Sequence, residues 1–161
     1  MLIELPIIWT IIINIMLWFI IHMSFAYIIT IIPSSYINIK SWIYKNRNWE
    51  QNGRFYEKYF KIKSWKGMLP DGAALFKKGF RKKSLVSLDK EYLRQFVLET
   101  CRAEFVHWLV ILFSPVFFIW NPVWAGIIMI IYALFANLPC IIAQRYNRLR
   151  FLRIIQGTVK K

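Results

Sequence analysis

The charges of this chain are confined to two stretches of its sequence. All 22 lysines and arginines lie within residues 40–102 or 145–161. Residues 1–33 carry one charged side chain, Glu4, and residues 105–144 carry none when the histidine there is neutral. A charged side chain at the centre of a bilayer costs about 2.5–3.5 kcal/mol on insertion scales, so uncharged apolar segments of this length are typical of membrane-embedded chains. The pattern predicts an integral membrane protein with one basic side.

The two apolar runs contain three predicted membrane-spanning helices. About 20 apolar residues cross the hydrocarbon core of a bilayer, so the first run holds one tilted span at about residues 7–32. The second run is too long for one helix and is broken by Asn121-Pro122, which is a turn signal. We therefore predict further spans at about 104–120 and 123–143, joined by a very short hairpin. The expected fold is an all-α single membrane domain, residues 1–161.

The positive-inside rule orients these spans, because both basic stretches must share one side of the membrane and three spans permit this. We expect a multi-pass protein of the cell membrane with its N-terminus outside, and with the loop 34–103 and the tail 145–161 in the cytoplasm. The first run has an acidic flank and no small-residue cleavage pattern, which argues against a cleaved signal peptide. The net charge of +14 predicts attraction to anionic phospholipids or to an anionic cytosolic substrate, and not to nucleic acid.

The cysteines and histidines predict no bound metal and no other cofactor. Cys101 and Cys140 are expected near the cytoplasmic ends of their helices, where thiols stay reduced, and two cysteines fall short of a zinc pattern. Glu104-x-x-His107 matches half of a di-iron carboxylate signature, but the other histidine, His22, has no carboxylate nearby. A single-metal site is left as a weaker alternative.

The cytoplasmic loop contains an aromatic-rich segment between Trp42 and Trp65, where aromatic residues recur among cations. Aromatic side chains with polar neighbours suit the headgroup region, so the segment is expected to lie along the membrane surface as a basic, interfacial loop. A second interpretation, an aromatic core packed over the spans, is equally open at this point.

A helix is predicted to begin in the loop and to continue into the second span. Ser87 and Asp89 are favourable at a helix start, and Glu91 would then lie in the first turn. No helix-breaking residue follows until Pro115. The pattern therefore predicts one long helix from about residue 88 that serves both the cytoplasmic loop and the membrane.

Polar side chains share one face of this helix where it enters the membrane. At 100° per residue, an arc of about 140° holds Glu99, Thr100, Ala103, Glu104 and His107. Arg102 lies three positions after Glu99, a spacing at which helical side chains pair. Two carboxylates and an imidazole at the edge of the hydrocarbon are candidates for proton transfer, because partial burial shifts the protonation of each.

The predicted hairpin returns the third span to this point. His107 lies 14 residues before Asn121, and Asn137 lies 15 residues after Pro122, so we expect His107 and Asn137 at similar depth. The end of the third span carries further polar residues, namely Gln144, Arg145, Asn147 and Arg148. Intramembrane polar residues of this kind are functional candidates.

The same residues also have structural interpretations. Glu99 and Arg102 could form only a surface salt bridge, and Glu104 with His107 could be a hydrogen-bonded pair that seals the bundle. The arginines at the end of the third span, including Arg150, could be snorkelling anchors.

Three polar residues elsewhere are assigned mainly structural roles. Asp71 lies in the tetrapeptide Leu69-Pro70-Asp71-Gly72, which fits a type I turn. Asn14 and His22 lie in the middle of the first span, where we expect each to form an interhelical hydrogen bond.

Several blocks of residues together indicate a family: Trp65-Lys66, Asp71-Gly72, Glu99-Thr100-x-Arg102-Ala103-Glu104-x-x-His107-Trp108, Tyr132-Ala133, Asn137-x-Pro139 and Gln144-Arg145-Tyr146-Asn147-Arg148-x-Arg150. With these blocks the chain resembles the glycosyl-4,4'-diaponeurosporenoate acyltransferase family over about residues 50–150. Residues 1–40 resemble the family only in being hydrophobic.

The resemblance implies an acyltransferase of class EC 2.3.1, which transfers groups other than aminoacyl groups. Members of the family are assigned to the last step of staphyloxanthin biosynthesis, the esterification of the sugar of a glycosylated carotenoid acid with a fatty acyl chain. The implied partners are an acyl donor such as acyl-CoA and a membrane-embedded glycolipid acceptor, either a glycosylated carotenoid or a related glycolipid.

Acyl transfer to a hydroxyl group needs a base that takes the proton and donors that stabilise the oxyanion. We expect His107 to be the base, oriented by Glu104, with Asp71 as an alternative base or as a residue that positions the acceptor. Asn137 and Gln144 would contact the oxyanion or the sugar, and cationic residues would bind the anionic head of the donor. The full set of expected substrate-binding residues is Lys66, Glu99, Arg102, Asn137, Gln144, Arg145, Asn147 and Arg148.

Two other classes of function remain open from the sequence. A non-catalytic membrane protein that binds anionic lipids would depend on its lysines more than on His107. A metal-dependent enzyme that modifies a lipid headgroup would be sensitive to chelators. The His-x4-Asp pattern of glycerolipid acyltransferases is absent after His107, and Cys101 is a weaker candidate for a covalent intermediate.

Overall fold

The computed structural model describes residues 3–69, 87 and 89–159. This part of the chain is entirely helical and contains no β-strand, as the sequence predicted. Its α-helices are α1 (Ile7–Ile31), α2 (Arg54–Phe60), α3 (Ile62–Trp65), α4 (Lys90–Phe113) and α5 (Val123–Val159). Short 3₁₀-helices cover Ser34–Tyr36, Asn48–Gly53, Lys66–Met68 and Ser114–Ile119. Asp71 and the basic cluster at residues 77–83 lie outside the described residues.

Three helical segments are long and apolar enough to cross a membrane, namely Ile7–Ile31, Lys90–Ile119 and Val123–Gly157. Only 11% of the most apolar window of the first segment is buried within the protein, and 33% of that of the third. Large apolar side chains therefore cover the outside of the bundle, as lipid contact requires. The expected all-α membrane fold with three spanning helices is confirmed.

Helix α4 begins where the sequence predicted. The Asp89 carboxylate caps it by accepting hydrogen bonds from the backbone amides of Glu91 (3.0 Å) and Tyr92 (3.4 Å), and the Asp89 amide donates to Ser87 Oγ. The α-helix then runs without a break to Phe113. From Ser114 the chain continues as a 3₁₀-helix, because Pro115 lacks the amide hydrogen that an α-helical turn would use there.

Helix α5 is longer than the span predicted at 123–143. It passes through Pro139 and continues to Val159, so most of the expected tail is helical. The extension packs against the first turns of α4, where Phe96 and Phe151 have ring centroids 4.5 Å apart. An amphipathic extension of this kind is stabilised by tertiary packing, which a hydropathy profile does not register.

Helices α4 and α5 form an antiparallel hairpin that folds at Asn121-Pro122. Residues of α4 contact residues of α5 at a similar distance along the chain from this turn: His107 contacts Asn137, and Cys101 contacts Arg148. Gly126 permits close packing here, because a Cβ atom at this position would lie 2.5 Å from the ring of Phe118. We call the end with residues 120–122 the turn end, and the end with residues 32–69 and 145–157 the basic end.

Helix α1 packs beside the hairpin through Trp18, which stacks on Phe117 with ring centroids 4.6 Å apart. Asn14 and Asn121 form a reciprocal amide pair, with hydrogen bonds of 3.0 and 2.9 Å, so the predicted hydrogen bond of Asn14 to another part of the bundle is confirmed. His22 instead uses Nδ1 on the carbonyl of Trp18 in its own helix, at 2.8 Å.

Residues 38–69 form a cap over the basic end of the bundle. Tyr56 and Ile62 of the cap are buried against Tyr146 and Leu149 of α5, whereas Trp42 is 75% exposed and other rings of the cap are also exposed. One set of rings therefore makes the core that the second interpretation predicted, whereas the location of the segment along the membrane surface stays a prediction.

The amide pair between α1 and the turn end gives a test of the fold. Replacement Asn14→Ala should lower stability by about 0.6–1.7 kcal/mol, the range measured for hydrogen bonds between membrane helices. The measurement is thermal unfolding of the purified protein in detergent. The matched control is Ile15→Ala, since Ile15 is 66% exposed on the same helix and makes no polar contact. Equal losses in the two variants would contradict the assignment.

Candidate active site

Two glutamates and two arginines form an ion-pair cluster at the basic end. Glu104 comes from α4, Arg145 and Arg148 come from α5, and Glu50 comes from the cap. Both glutamates and Arg148 are fully buried, and the side chain of Arg145 is 11% exposed. Buried charges of this kind are tolerated only when each is paired. The cluster therefore ties three separate segments together.

All five N–H groups of Arg145 are used within the protein. Its Nε and Nη2 donate to the two carboxylate oxygens of Glu50 at 2.9 and 3.0 Å, and its Nη1 donates to Glu104 Oε1 at 3.0 Å. The remaining hydrogens reach the carbonyls of Ile43 (2.8 Å) and Lys45 (3.2 Å). Arg145, expected to bind substrate, is thus the residue that fastens the cap to α5.

The local backbone of the cap positions Glu50. Its carboxylate also accepts hydrogen bonds from the hydroxyl of Tyr56 (2.6 Å) and the amide of Arg47 (2.7 Å). Burial alone would raise the pKa of Glu50, but the hydrogen bonds from Arg145, Tyr56 and Arg47 outweigh it and hold the pKa below its usual value. Glu50 is therefore ionised at neutral pH and balances Arg145.

Gly53 closes the turn that carries Glu50. Its φ of +94° lies in the left-handed region that favours glycine, and a Cβ atom there would stand 3.5 Å from the ring of Tyr146. Glycine is therefore favoured here by the backbone conformation of the turn, since the added Cβ atom would make only an ordinary van der Waals contact.

Only Nη1 of the Arg148 guanidinium makes a polar contact with the described residues. Its Nη1 lies 2.5 Å from Glu104 Oε2 and 3.8 Å from Cys101 Sγ, and its guanidinium lies 5.3 Å from the ring centroid of Tyr44. Its Nε and Nη2 are buried and have no hydrogen-bond acceptor among the described residues. Burial, together with the nearby Cys101 and Glu104, raises the pKa of Tyr44 to about 12, so its hydroxyl stays protonated.

His107 meets Asn137 at the depth that the hairpin predicted, with 2.8 Å between Nδ1 and Oδ1. Asn137 uses its Nδ2 to donate to the carbonyl of Ala133 at 2.8 Å, so Oδ1 faces the imidazole as an acceptor. The Nδ1 of neutral His107 then carries the proton, and its Nε2 carries the lone pair. A histidine in this tautomer can accept a proton at Nε2.

Glu104 is occupied by partners other than His107. Its Oε1 accepts from Arg145 and from Trp108 Nε1 (3.3 Å), and its Oε2 pairs with Arg148. The orientation of the His107 ring expected from Glu104 is supplied here by Asn137. The two residues nevertheless lie one turn apart on α4.

The Glu99 and Arg102 pair lies beside the basic end of α1. Arg102 Nη1 is 2.6 Å from Glu99 Oε1, and Arg102 Nη2 donates to the carbonyl of Ile32 (2.5 Å) and to Ser34 Oγ (3.2 Å). Gln95 Nε2 also donates to Glu99 at 3.0 Å. Both residues are therefore engaged in holding the end of α1 against α4.

Lys66 and Asn147 contact each other near a second, more exposed cationic region. Lys66 Nζ donates to Asn147 Oδ1 at 2.7 Å and lies 4.8 Å from the ring centroid of Tyr146. Burial lowers the pKa of Lys66, and the charges of Arg150 and Lys63 lower it further. The half-buried ammonium of Lys66 thus lies in a field of like charges that favours an anion.

Two grooves open on the membrane-facing surface. One has a volume of about 360 Å³, is entirely apolar, and runs between the cap and α5; its lining is Phe60, Trp65, Leu134, Phe135, Leu138, Pro139 and Ile142. The other has a volume of about 680 Å³ and lies between α1 and α5 toward the turn end, beside Asn14, Trp18, His22 and Tyr132. Trp65 of the smaller groove directly precedes Lys66 in the chain.

Sequence reasoning missed Glu50 and Tyr44 as members of the site. The available signal for Glu50 was its rarity, since it and Glu57 are the only acidic residues between positions 40 and 69 of a basic stretch. Gln144 is half-buried, and its Oε1 finds no donor in the structure. No group of three potential metal ligands occurs among the described residues.

Comparison with known proteins identifies the family of the chain. A family profile described as glycosyl-4,4'-diaponeurosporenoate acyltransferase matches residues 40–157, which include the cap and the hairpin. The chain belongs to this family. The resemblance noted from its sequence blocks is thereby confirmed.

Two relatives with the same name come from Staphylococcus aureus. The protein of strain bovine RF122 / ET3-1 is 35% identical over 141 residues, 88% of this chain and 85% of the relative. The protein of strain Newman is 35% identical over 146 residues, 91% of this chain and 88% of the relative. No solved structure matches the chain. As a member of this family, the chain is an acyltransferase of class EC 2.3.1 that uses an acyl donor.

The bond between Glu50 and Arg145 gives a pH-dependent test of the site. Replacement Glu50→Gln should lower stability at pH 7 by about 3 kcal/mol, because it removes one of the two carboxylates that balance the largely buried guanidinium of Arg145. Since the folded-state pKa of Glu50 is lowered, its contribution is complete above the ordinary glutamate pKa of about 4.3 and is lost as the pH falls through the lowered value.

The difference in unfolding temperature between wild type and Glu50→Gln should therefore shrink at strongly acidic pH. Glu91→Gln is the control, because Glu91 is exposed in the first turn of α4. A difference that persists unchanged into acid would show that the effect does not come from the charge of Glu50.

Proposed function

We propose that the chain transfers a fatty acyl group from an acyl donor such as acyl-CoA to a sugar hydroxyl of a glycosylated carotenoid or a related glycolipid. The relatives carry the name of glycosyl-4,4'-diaponeurosporenoate as their acyl acceptor. The observation that carries the proposal is the contact between His107 and Asn137, which fixes the imidazole ring in the basic half of the bundle and places its proton on Nδ1.

His107 is proposed as the general base that takes the proton of the sugar hydroxyl. General-base catalysis contributes about 10²–10⁴-fold, and it requires a fixed ring and a defined tautomer. Asn137 provides both through the hydrogen bond to Nδ1. Glu104 then acts indirectly, by holding the two arginines beside the base. Asp71 lies outside the described residues and stays an alternative base.

The donor head is proposed to bind at Lys66, assisted by Arg150 and Lys63. These three cations come from the cap and α5 and are close enough to repel one another. The phosphates of a coenzyme A thioester would neutralise this charge. Asn147 positions Lys66 from α5. Arg145 is proposed to act as a structural residue, because its N–H groups are already taken by the protein.

Glu99, Arg102 and Gln144 are proposed to border the acceptor. Glu99 and Arg102 form a mutual pair that holds the end of α1, so their effect on the sugar is indirect. Gln144 presents a buried Oε1 without a donor, and a sugar hydroxyl would supply one.

The apolar groove between the cap and α5 is proposed to hold the acyl chain of the donor. It is lined by apolar side chains, and one of these, Trp65, directly precedes Lys66 in the chain. An acyl chain with an anionic head matches both features. The larger groove beside His22 suits the long apolar tail of the acceptor.

The orientation proposed for the chain places the basic end in the cytoplasm of a cell membrane. The support is the confinement of all lysines and arginines to residues 40–102 and 145–161, which the positive-inside rule assigns to the cytoplasmic side. The N-terminus would then lie outside and the C-terminus inside. Anionic phospholipids would surround the cap and attract its exposed cations.

Lipid profiling of cells that express His107→Ala tests the function. The acylated glycolipid should fall by about 10²–10⁴-fold in rate of formation, since the base is removed. The matched control is Gln156→Ala, which removes an exposed polar side chain of α5 that lies in neither groove. If no acylated lipid disappears, or if both variants behave alike, the acyltransferase mechanism fails.

A narrowed groove should change the acyl chain that is transferred. Replacement Leu138→Trp fills part of the 360 Å³ groove and should shift the product toward shorter chains, measured by mass spectrometry of the esterified lipid. Ile131→Trp is the control, because Ile131 is exposed on α5 outside both grooves. An unchanged chain-length distribution in Leu138→Trp would exclude this groove as the acyl site.

A further inference from the structure

Arg145 and Arg148 make the same contact through Nη1 but differ at the edge of the guanidinium formed by Nε and Nη2. Each uses Nη1 to contact one oxygen of Glu104. The Nε and Nη2 of Arg145 then grip both oxygens of Glu50. The corresponding Nε and Nη2 of Arg148 form the same two-pronged edge, but this edge has no acceptor.

Burial makes the empty edge of Arg148 costly. The residue has no solvent-exposed surface, so water of the bulk solvent does not satisfy these donors. A buried donor without an acceptor loses its hydration and gains nothing in exchange, and nearly all such groups in native proteins have a partner. The edge therefore indicates a group that is present during function and absent from the protein itself.

We propose that the Nε and Nη2 edge of Arg148 binds the acyl carbonyl oxygen of the donor and stabilises the oxyanion that forms there. This inference rests on the proposed acyl transfer and deepens it. Oxyanion stabilisation uses preorganised N–H donors at the place where negative charge develops, and the buried edge of Arg148 supplies two such donors.

The charge balance of the cluster favours a carbonyl oxygen over a phosphate. Two glutamates already match two arginines, so the buried cluster is neutral. A phosphate would add a full negative charge beside Glu104, where burial makes charge expensive. A carbonyl is neutral when it binds and gains charge only during the reaction. Lys66 and its neighbours form a separate, more exposed place for phosphates.

Glu104 connects the edge to the helix that carries the base. It contacts Arg148 and lies one helical turn from His107 on α4. Gln144 lies one turn before Arg148 on α5, and its unpaired Oε1 can accept from the attacking hydroxyl. The half-buried ring of Tyr44 lies over the guanidinium of Arg148.

The reaction step follows from these contacts. The sugar oxygen attacks the carbonyl carbon of the thioester, a C–O bond forms, and the hydroxyl proton passes to His107 Nε2. The carbonyl oxygen becomes an oxyanion on the edge of Arg148. Collapse restores the C=O bond and breaks the C–S bond, and the proton passes from His107 to the departing thiolate, so that the ester and a free thiol are the products.

Replacement Arg148→Lys tests this inference, because lysine keeps the charge opposite Glu104 but lacks the two-pronged edge. With a long-chain acyl-CoA and glycosyl-4,4'-diaponeurosporenoate, the kcat of the purified variant should fall by about 10²–10³-fold. Its unfolding temperature should be unchanged, whereas Arg145→Lys should lower the unfolding temperature. Arg153→Lys, an exposed change on α5, is the control for activity.

Donor analogues separate the carbonyl from the phosphates. A thioether analogue of acyl-CoA lacks the carbonyl, and it should inhibit wild type and Arg148→Lys equally. A ketone analogue keeps the carbonyl, and it should bind wild type more tightly than the thioether does. This preference should vanish in Arg148→Lys and in a second variant, Arg148→Gln, which provides the same comparison if the lysine variant folds poorly.

Three results would overturn the inference. A wild-type kcat in Arg148→Lys would mean that a water molecule fills the edge. Weaker binding of the thioether analogue by the variant would mean that Arg148 holds a phosphate. A ketone preference that survives in both variants would exclude the carbonyl contact. If the wild-type protein transfers the acyl group and any of these three results is found, only the inference about Arg148 fails and the proposed function stands. If the wild-type protein transfers no acyl group, both the proposed function and the inference about Arg148 are overturned.

Discussion

Burial of charge at the edge of a membrane dictates how the basic end of this protein is built. Glu104 enters from α4 at a depth where an unpaired carboxylate would be strongly unfavourable, and it takes both arginines of α5 as partners. Arg145 then needs a second carboxylate, which Glu50 brings from the cap. Through this chain of pairings, one buried glutamate fixes the register of the hairpin and fastens the cap over it.

The ion pairs of this cluster use all the N–H groups of one arginine and leave polar atoms of other residues unpaired. Arg145 is saturated by the protein, so it contributes rigidity, whereas Arg148 and Gln144 keep unsatisfied polar atoms in the buried interior. His107 stands at the margin of the cluster with its tautomer set by Asn137. A site of this type holds its reactive groups in place before substrate arrives, which is the general requirement for electrostatic catalysis.

Much of this could be predicted from the chain alone, and the misses have common causes. The hairpin at Asn121-Pro122, the cap of α4 at Asp89 and the meeting of His107 with Asn137 follow from periodicity, turn chemistry and residue counting. The full length of α5 did not follow, because Phe151 and its neighbours are stabilised by packing on α4. Glu50 was missed because its importance lies in a contact 95 residues away along the chain.

The sequence by itself determined the membrane architecture, since the transfer free energy of charged and apolar side chains depends on composition and not on folding. The tertiary structure alone decided which carboxylate pairs with which arginine, and therefore which guanidinium edge is left for a ligand. Such pairings depend on directional contacts between distant segments, and these contacts exist only after the helices and the cap have packed together.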